Sequence, residues 1–229
     1  MALLIAQGVV LGVLIVVIGL WAVYFPFPSP LIRRCLPPRK RWHETQIRSW
    51  LKTGRYHKAF LNYFYRDPER TPPPGDSILS PADGLVTSVE MHDAIRYVVI
   101  ALSFWDMHVQ RSPVSGTVVK VETKGNDFMD GEGRESAFLR EKPCPVQKRI
   151  VISTEYGEIA VRLITSLAAR RIEIWVNEKE QIVRGHKIGR ILLGSTVVLE
   201  LPASLNLSVF VGQRVTAGET VVVRDMSPA

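Results

Sequence analysis

The chain has 229 residues, enough for one ordinary domain with additional segments, and a formal net charge of +7 at pH 7. Its two cysteines, Cys35 and Cys144, lie far apart, which argues against a disulfide framework or a cysteine-based metal site and fits a reducing compartment. The charge is uneven: residues 33–70 contain eleven Lys or Arg and three acidic residues, while the rest of the chain has a net charge of −1. A basic segment beside a nearly neutral domain indicates contact with an anionic surface, either nucleic acid or lipid head groups.

The chain begins with an uncharged run from Ala2 to Phe25, in which Gln7 is the only strongly polar residue. As a helix, about 23 residues span roughly 34 Å, slightly more than a hydrocarbon core of about 30 Å. No Lys or Arg precedes the run and aromatic residues crowd its end, so residues 1–25 are predicted to be a retained transmembrane helix. The basic residues that follow place the remainder on the cytoplasmic side of the cell (inner) membrane. Gly8 and Gly12 form a GxxxG motif, which makes a homodimer a possible partner arrangement.

Residues 26–75 are predicted to be a basic juxtamembrane segment flanked by prolines, which prevent the first helix from continuing. Within it, residues from about Thr45 to Tyr65 predict one short amphipathic helix with aromatic and aliphatic residues between basic ones. Two alternatives stay open for this helix: it lies in the lipid interface, or it packs on the following domain with its charges in water. Because a transmembrane helix already anchors the chain, the expected role of the basic residues is to gather anionic lipid.

From residue 76 to residue 229 the sequence predicts a mainly β (α+β) domain, because short β-branched runs alternate with Gly and Pro. The predicted strands are Leu85–Glu90, Tyr97–Ser103, Thr117–Glu122, Arg149–Thr154, Glu158–Ile164, Thr196–Leu201, Leu207–Val211 and Thr220–Arg224. Two further stretches, Gly133–Arg140 and Ser166–Arg171, are predicted to be helical.

An internal repeat marks this domain. Residues 80–86 resemble residues 112–118, because each stretch begins with Ser-Pro and reaches Gly before a β-branched run. A third relative, residues 211–219, lies near the end of the chain. Turns of this kind are typical of biotinyl- and lipoyl-like domains, so a barrel-sandwich-like architecture is expected.

The apolar run 192–201 contains a single Gly-Ser pair, Gly194-Ser195. Glycine leaves its carbonyl open to a nucleophile, and the Ser195 hydroxyl lies one residue downstream, close enough to attack that carbonyl. On the local pattern alone, a glycine bulge or bend in a strand is the favoured explanation, because Gly-Ser pairs are common in strands.

Other groups that could do chemistry are few. Asp83 lies in a Pro-Ala-Asp-Gly turn, where an aspartate ordinarily bonds its own backbone, and His108 lies in the stretch 104–111, where a lone histidine is ordinarily structural. No metal site, P-loop or dinucleotide motif is present in the sequence.

Together these features resemble the phosphatidylserine decarboxylases, and specifically their short bacterial and archaeal form. The likeness runs from about Tyr63 to Pro202 and rests on three stretches in the family's order, which are 63–70 with 80–84, 103–109 with 111–116, and 189–191 with 193–196.

The resemblance implies a proenzyme that cuts itself between Gly194 and Ser195. Ser195 would become a covalent pyruvoyl group, and the fragments 1–194 and 195–229 would stay together. Decarboxylation of an amino-acid head group develops negative charge on carbon, and a ketone that condenses with the substrate amine supplies the electron sink. The implied reaction converts phosphatidylserine to phosphatidylethanolamine, with anionic phospholipid and membrane as partners, no metal and no nucleic acid.

Matched by position, Asp83 corresponds to the acidic member of the family's Asp-His-Ser set, and His108 to a histidine that handles a proton near the substrate. Longer members have a second histidine three positions later, and this chain has Arg111 there. Either His108 therefore serves both self-cleavage and decarboxylation, or another group activates Ser195.

Two other functions remain as alternatives. One is a non-enzymatic, membrane-anchored barrel-sandwich adaptor, although the coiled-coil heptads usual in such adaptors are missing. The other is a decarboxylase that acts on archaetidylserine, because nothing in the sequence distinguishes ester-linked from ether-linked lipid tails.

Overall fold

The structure is a computed structural model that describes residues 2–24, 35–125, 146–165, 171–192 and 196–224; in the first helix, side chains are described for residues 6–21. The chain divides into two compact units, Met1–Tyr56 and His57–Ala229. The organisation expected from the sequence, in segments 1–25, 26–75 and 76–229, stays a prediction.

The first unit is helical. It contains α1 (Ala2–Tyr24), α2 (Pro38–Arg41) and α3 (Glu44–Thr53). The described apolar side chains of α1, from Val9 to Trp21, are exposed. Within the part of the chain whose side chains are described, no helix has the length and apolar character needed to cross a bilayer. The transmembrane helix over residues 1–25 therefore stays a prediction.

The prediction of a single amphipathic helix over Thr45–Tyr65 is wrong, because two helices occupy this range. Helix α3 ends at Thr53 and is capped by Gly54, which adopts a left-handed conformation (φ 66°) and donates its N–H to the Trp50 carbonyl oxygen at 2.8 Å. A second helix, α4 (Lys58–Phe64), begins after His57, whose Nδ1 accepts the Ala59 N–H at 3.2 Å. Because Phe60 and Phe64 of α4 are buried, packing within the protein, not insertion in lipid, explains the aromatic residues of this helix.

The second unit is mainly β, as the sequence predicts. Its strands are β1 (Ile78–Leu79), β2 (Gly84–His92), β3 (Ile95–Ala101), β4 (Val109–Arg111), β5 (Gly116–Lys124), β6 (Gln147–Thr154), β7 (Gly157–Ile164), β8 (Arg171–Ile174), β9 (Gln181–Ile182), β10 (Lys187–Leu192), β11 (Thr196–Pro202), β12 (Arg214–Val215) and β13 (Val221–Val223). A curled sheet has the order β12-β2-β3-β11-β7-β6-β5-β9, a second sheet the order β4-β10-β8, and β1 pairs with β13. All of the pairings are antiparallel.

The curled sheet consists of two related halves, β12-β2-β3-β11 and, counted from the opposite edge, β9-β5-β6-β7. The internal repeat accounts for this correspondence. The first repeat supplies β1 and β2, and the second supplies β4 and β5. The two Ser-Pro turns bind each other reciprocally, because Leu79 N–H donates to the Pro113 carbonyl oxygen (3.0 Å) and Arg111 N–H donates to the Pro81 carbonyl oxygen (2.9 Å). The repeat noticed in the sequence is thus a pair of related half-structures that close on each other.

One apolar core joins the sheets. Val197 and Leu199 of β11, Leu163 of β7 and Ile191 of β10 are fully buried members of one cluster. Alternate residues of β11 face away from this cluster, as the two-residue period of a strand requires; Val198 packs instead with Ile164 in a smaller cluster. Strand β11 is therefore buried on both faces, which accounts for its continuous apolar sequence.

Several other local predictions need correction. Leu207–Val211 is not a strand, since within it Leu207 makes one isolated bridge and a turn begins at Phe210. The helix predicted over Ser166–Arg171 does not include its last residue, because Arg171 begins β8. Residues 166–170 and the predicted helix Gly133–Arg140 lie outside the described residues.

Candidate active site

The Gly194-Ser195 pair lies outside the described residues, but both of its flanks are described. Upstream, β10 carries the chain to Leu192, and Ile191 N–H donates to the His108 carbonyl oxygen at 3.3 Å. Downstream, Thr196 begins β11, where it is fully buried between Ala101 of β3 and its partner on β7. The pair therefore joins a strand of the small sheet to a central strand of the curled sheet.

His108 lies immediately before β4 and is buried. Its ring packs at 4.1 Å, centroid to centroid, from the Phe64 ring of α4. Its Nδ1 is 3.0 Å from the Asp106 carbonyl oxygen, which can only accept a hydrogen bond. This contact requires the hydrogen on Nδ1, so Nε2 is the nitrogen that can take up a proton in the neutral ring.

The loop before His108 is fixed by the Asp106 side chain. Its Oδ2 accepts hydrogen bonds from the Ser103 N–H (2.8 Å) and the Ser103 hydroxyl (2.7 Å), and its Oδ1 pairs with Arg214 of β12. The loop that carries the histidine is therefore connected to the strand that runs beside Asp83.

Asp83 lies immediately before β2, at the edge of the curled sheet where β11 begins. Its neighbour Gly84 packs against the Ala101 carbonyl oxygen so closely that a Cβ would overlap it, and Ala101 is the β3 partner of Thr196. The Asp83 carboxylate accepts hydrogen bonds from Ala217 N–H (2.8 Å) and from Arg70 (3.0 and 3.3 Å).

Burial raises the pKa of the Asp83 carboxyl above its ordinary value. The Ala217 N–H and the Arg70 guanidinium lower this pKa, the negative charge of Asp106 raises it, and Arg66 lowers it, with burial the largest effect. Among the described residues, the hydrogen-bond partners of Asp83 include no histidine. The acidic and histidine members of the predicted set are thus near opposite flanks of Gly194-Ser195, without a direct bond from the carboxylate to His108.

Arg111 occupies the position of the family's second histidine, and its contacts are those of a residue that stabilises the fold. Its guanidinium is buried and donates to Asp67 Oδ1 (2.9 Å), to the Gly185 carbonyl oxygen (3.1 Å) and to the Pro68 carbonyl oxygen (3.3 Å). A guanidinium has five N–H donors and no acceptor, so it cannot serve as a base. Arg111 therefore fixes the segment 67–68 and does not substitute for a histidine base.

Two residues near the site were missed by the sequence interpretation. Arg70 was counted in the basic segment, but its position across from Asp83 depends on tertiary folding. Gln110, two residues after His108, is fully buried, and neither its Nε2 nor its Oε1 has a hydrogen-bond partner among the described residues. The internal repeat could have identified Gln110. The equivalent position in the first half is Ile78, an ordinary core residue, so a polar residue at position 110 stands out.

The described residues contain no group of three His, Cys, Asp or Glu side chains that could hold a metal ion. Comparison with known proteins adds two findings. A family model described as phosphatidylserine decarboxylase matches residues 57–223. A protein of Archaeoglobus fulgidus that bears the name archaetidylserine decarboxylase proenzyme is 39% identical over 168 residues, which cover 73% of this chain and 80% of the relative.

Proposed function

This chain belongs to the phosphatidylserine decarboxylase family and is a decarboxylase proenzyme, and from that premise we propose that it matures by cutting itself between Gly194 and Ser195. The non-enzymatic adaptor considered from the sequence is thereby set aside. One observation carries the proposal: the two chain flanks of Gly194-Ser195 are joined by backbone contacts to the surroundings of His108 on one side and Asp83 on the other.

The proposed cleavage proceeds by attack, elimination and hydrolysis. The Ser195 hydroxyl attacks the Gly194 carbonyl carbon, and the peptide C–N bond gives way to an ester. Loss of the Cα proton then breaks the Cβ–O bond, which leaves a carboxylate on Gly194 and a dehydroalanine at residue 195. One water adds to the imine form of this residue, ammonia leaves, and a pyruvoyl ketone remains on the fragment 195–229.

The fold is suited to this reaction because the short fragment is held by strands of the long one. β11 pairs with β3 and β7, β12 pairs with β2, and β13 pairs with β1. The buried side chains of β11 add apolar contacts on both faces. The two fragments are therefore expected to remain one folded enzyme after the chain is cut.

The pyruvoyl group, once formed, supplies a ketone that condenses with the substrate amine and accepts the electrons released on loss of CO₂. We assign His108 Nε2 to proton transfer, because Nδ1 is occupied by the Asp106 carbonyl oxygen. We assign Asp83, a half-enclosed carboxyl whose pKa is raised by burial, to the self-cleavage. Arg111 is excluded as the activating base, so the proposal gives Ser195 activation to His108, Asp83 or both.

The proposed substrate is a serine phospholipid, phosphatidylserine, with the product phosphatidylethanolamine. The name of the Archaeoglobus relative supports archaetidylserine, its ether-linked counterpart, as the second candidate. Both lipids carry the same serine head group, so the site chemistry is common to them. Assays with each lipid, at equal surface density in the same vesicles, would distinguish the two.

We also propose that the enzyme is anchored in the cell membrane by residues 1–25, with the domain on the cytoplasmic side. The exposed apolar side chains of α1 and the basic residues 33–70 support this location. The GxxxG motif supports a homodimer through the first helix. The curled sheet with a second sheet across one apolar core supports the barrel-sandwich-like description of the domain.

Intact-mass measurement of freshly purified protein tests the proposal. Wild-type protein should give two fragments, 1–194 and 195–229, whose masses add to that of the chain plus one water minus one ammonia. Ser195→Ala should give one uncut chain without decarboxylase activity. Borohydride added together with phosphatidylserine should link lipid to the fragment 195–229. An uncut wild-type chain that decarboxylates phosphatidylserine would show that the proposal is wrong.

A further inference from the structure

The same tight turn occurs twice in the second unit, once in each half of the internal repeat. Residues 210–213, the apolar turn, close with a hydrogen bond from Gln213 N–H to the Phe210 carbonyl oxygen at 3.1 Å. Residues 177–180, the polar turn, close with a hydrogen bond from Glu180 N–H to the Asn177 carbonyl oxygen at 3.2 Å. Each turn leads directly into an equivalent strand, β12 or β9.

The correspondence extends to the side chains and the neighbouring strands. Gln213 Oε1 accepts the Phe210 N–H (3.3 Å), as Glu180 Oε2 accepts the Asn177 N–H (2.8 Å). Gln213 and Gly212 exchange backbone hydrogen bonds with Val86 of β2, at 2.9 and 2.8 Å. Glu180 and Lys179 exchange the matching bonds with Val118 of β5, at 2.9 and 2.7 Å. The backbone architecture of the two turns is therefore the same.

Their chemistry is opposite. The polar turn has the sequence Asn-Glu-Lys-Glu, as is usual for a turn in water, whereas the apolar turn has the sequence Phe-Val-Gly-Gln. Phe210 is 67% exposed and Val211 is 56% exposed. Because the polar turn forms the same hydrogen bonds with charged residues, folding does not require the two apolar side chains of the apolar turn. An ordered turn that presents them to solvent indicates a surface that they contact.

The position of the apolar turn identifies that surface. Its anchor, Val86, lies three residues along β2 from Asp83, a distance of about 10 Å at 3.3 Å per residue. Arg214, which directly follows the turn, pairs with Asp106 in the loop that carries His108. The apolar turn is therefore close to both proposed catalytic residues, and the polar turn is attached to the other half of the repeat.

We propose that Phe210 and Val211 insert into the lipid surface and set the domain at the height at which a serine head group reaches the site. This inference rests on the proposed function, since only a lipid substrate requires the enzyme to work at a bilayer. Transfer of exposed apolar side chains from water into the acyl boundary of a bilayer lowers the free energy. The partially exposed arginine beside them matches the negative charge of the head groups.

The test uses full-length protein and compares two forms of the same substrate. The variant Phe210→Asn/Val211→Ser makes the apolar turn polar without adding charge, and the reciprocal variant Asn177→Phe/Glu178→Val places the apolar pair on the polar turn. With vesicles of phosphatidylserine and phosphatidylcholine, kcat/KM of the first variant should fall at least tenfold. With short-chain phosphatidylserine below its micelle concentration, its kcat/KM should equal that of wild type. The reciprocal change, made on the first variant, should not restore activity on vesicles.

A site-specific probe separates this contact from any made by the first helix. Val211→Cys, in a Cys35→Ser/Cys144→Ser chain, is labelled with bimane and mixed with the same vesicles containing a lipid-linked nitroxide. The label at residue 211 should be quenched, whereas a label at Glu178→Cys should not.

Equal quenching at both positions, or equal loss of activity on vesicles and on short-chain lipid, would overturn the inference. A second copy of the chain as the true occupant would appear as a dimer that the first variant dissociates, and this too would overturn it. Absence of activity on short-chain lipid in the wild-type enzyme would instead contradict the proposed function.

Discussion

Removal of the Arg70 side chain should destabilise the domain mainly through the carboxylate that it leaves behind. The guanidinium of Arg70 donates to both oxygens of Asp83 and to Glu219 Oε2 (3.1 Å). The Arg70 and Asp83 side chains are 14% and 16% exposed, whereas Glu219 is 39% exposed, so the Asp83 carboxylate is the one whose loss of a partner costs more. Breaking a buried ion pair by removing one partner typically costs about 3–5 kcal/mol. Because Ala217 N–H still donates to the carboxylate, we expect Arg70→Met to lose about 3 kcal/mol, at the lower end of that range.

The pKa of Asp83 determines how the loss of stability in Arg70→Met should change with pH. Burial raises the pKa of Asp83, so the charged carboxylate opposes folding as the pH rises through that pKa, and the opposition disappears below the carboxyl's ordinary pKa. Without Arg70 the charged form is still less favourable. The difference in stability between Arg70→Met and its parent should therefore be largest near neutral pH and shrink as the solution is acidified.

Urea unfolding, followed by circular dichroism of the β structure, measures the effect. The parent chain is Ser195→Ala, because an uncut chain unfolds as a single polypeptide. Arg48→Met is a matched control, since the Arg48–Glu44 pair is exposed and a pair of that kind contributes at most about 0.5 kcal/mol. Adding Asp83→Asn to Arg70→Met should recover most of the loss. A loss below about 1 kcal/mol, or one that does not change with pH, would refute the reasoning about this pair.

Four other predictions follow from particular contacts. His108→Ala should lower the decarboxylation rate of already processed enzyme by about 10²-fold or more, and near-normal turnover would remove this residue from the reaction. Arg111→Met should lower the urea midpoint of the uncut chain, because it leaves Asp67 with Lys187 as its remaining basic partner among the described residues; an unchanged midpoint would contradict the structural role. Gln110→Met should raise stability by about 1 kcal/mol, because it removes a buried amide that has no hydrogen-bond partner in the part of the chain that the structure describes, and a loss of stability would show that the amide is satisfied. Activity on phosphatidylserine vesicles should fall as salt rises if the basic residues 33–70 gather anionic lipid, and salt-independent activity would contradict that role.

The sequence alone determined the features that depend on local pattern. Short β-branched runs bounded by Gly and Pro placed the central strands, including β3, β6, β7 and β11, near their observed positions, because a strand buried on both faces needs a continuous run of apolar residues. The Ser-Pro repeat indicated the paired half-structures, since equivalent turns need equivalent residues. The order of the motif stretches identified the family, which the comparisons confirm.

The sequence failed where short segments depend on distant partners. Strands β1, β9 and β12 have two residues each, too few for a periodic pattern, and they form because strands remote in sequence, β13, β5 and β2, supply their hydrogen bonds. The helix expected over Thr45–Tyr65 ignored Gly54, a local stop signal that the amphipathic pattern concealed.

Only the tertiary structure decided how the site residues are used. Arg70 and Asp83 are 13 residues apart, and no spacing rule pairs them; the fold brings them together just before β2 begins. Arg111 reads as a departure from the family pattern, but its contacts with Asp67 and Gly185 show a buried cation that fixes the fold. The physical reason is that an ionisable side chain acquires its role from burial and neighbouring charge, and these depend on residues remote in sequence.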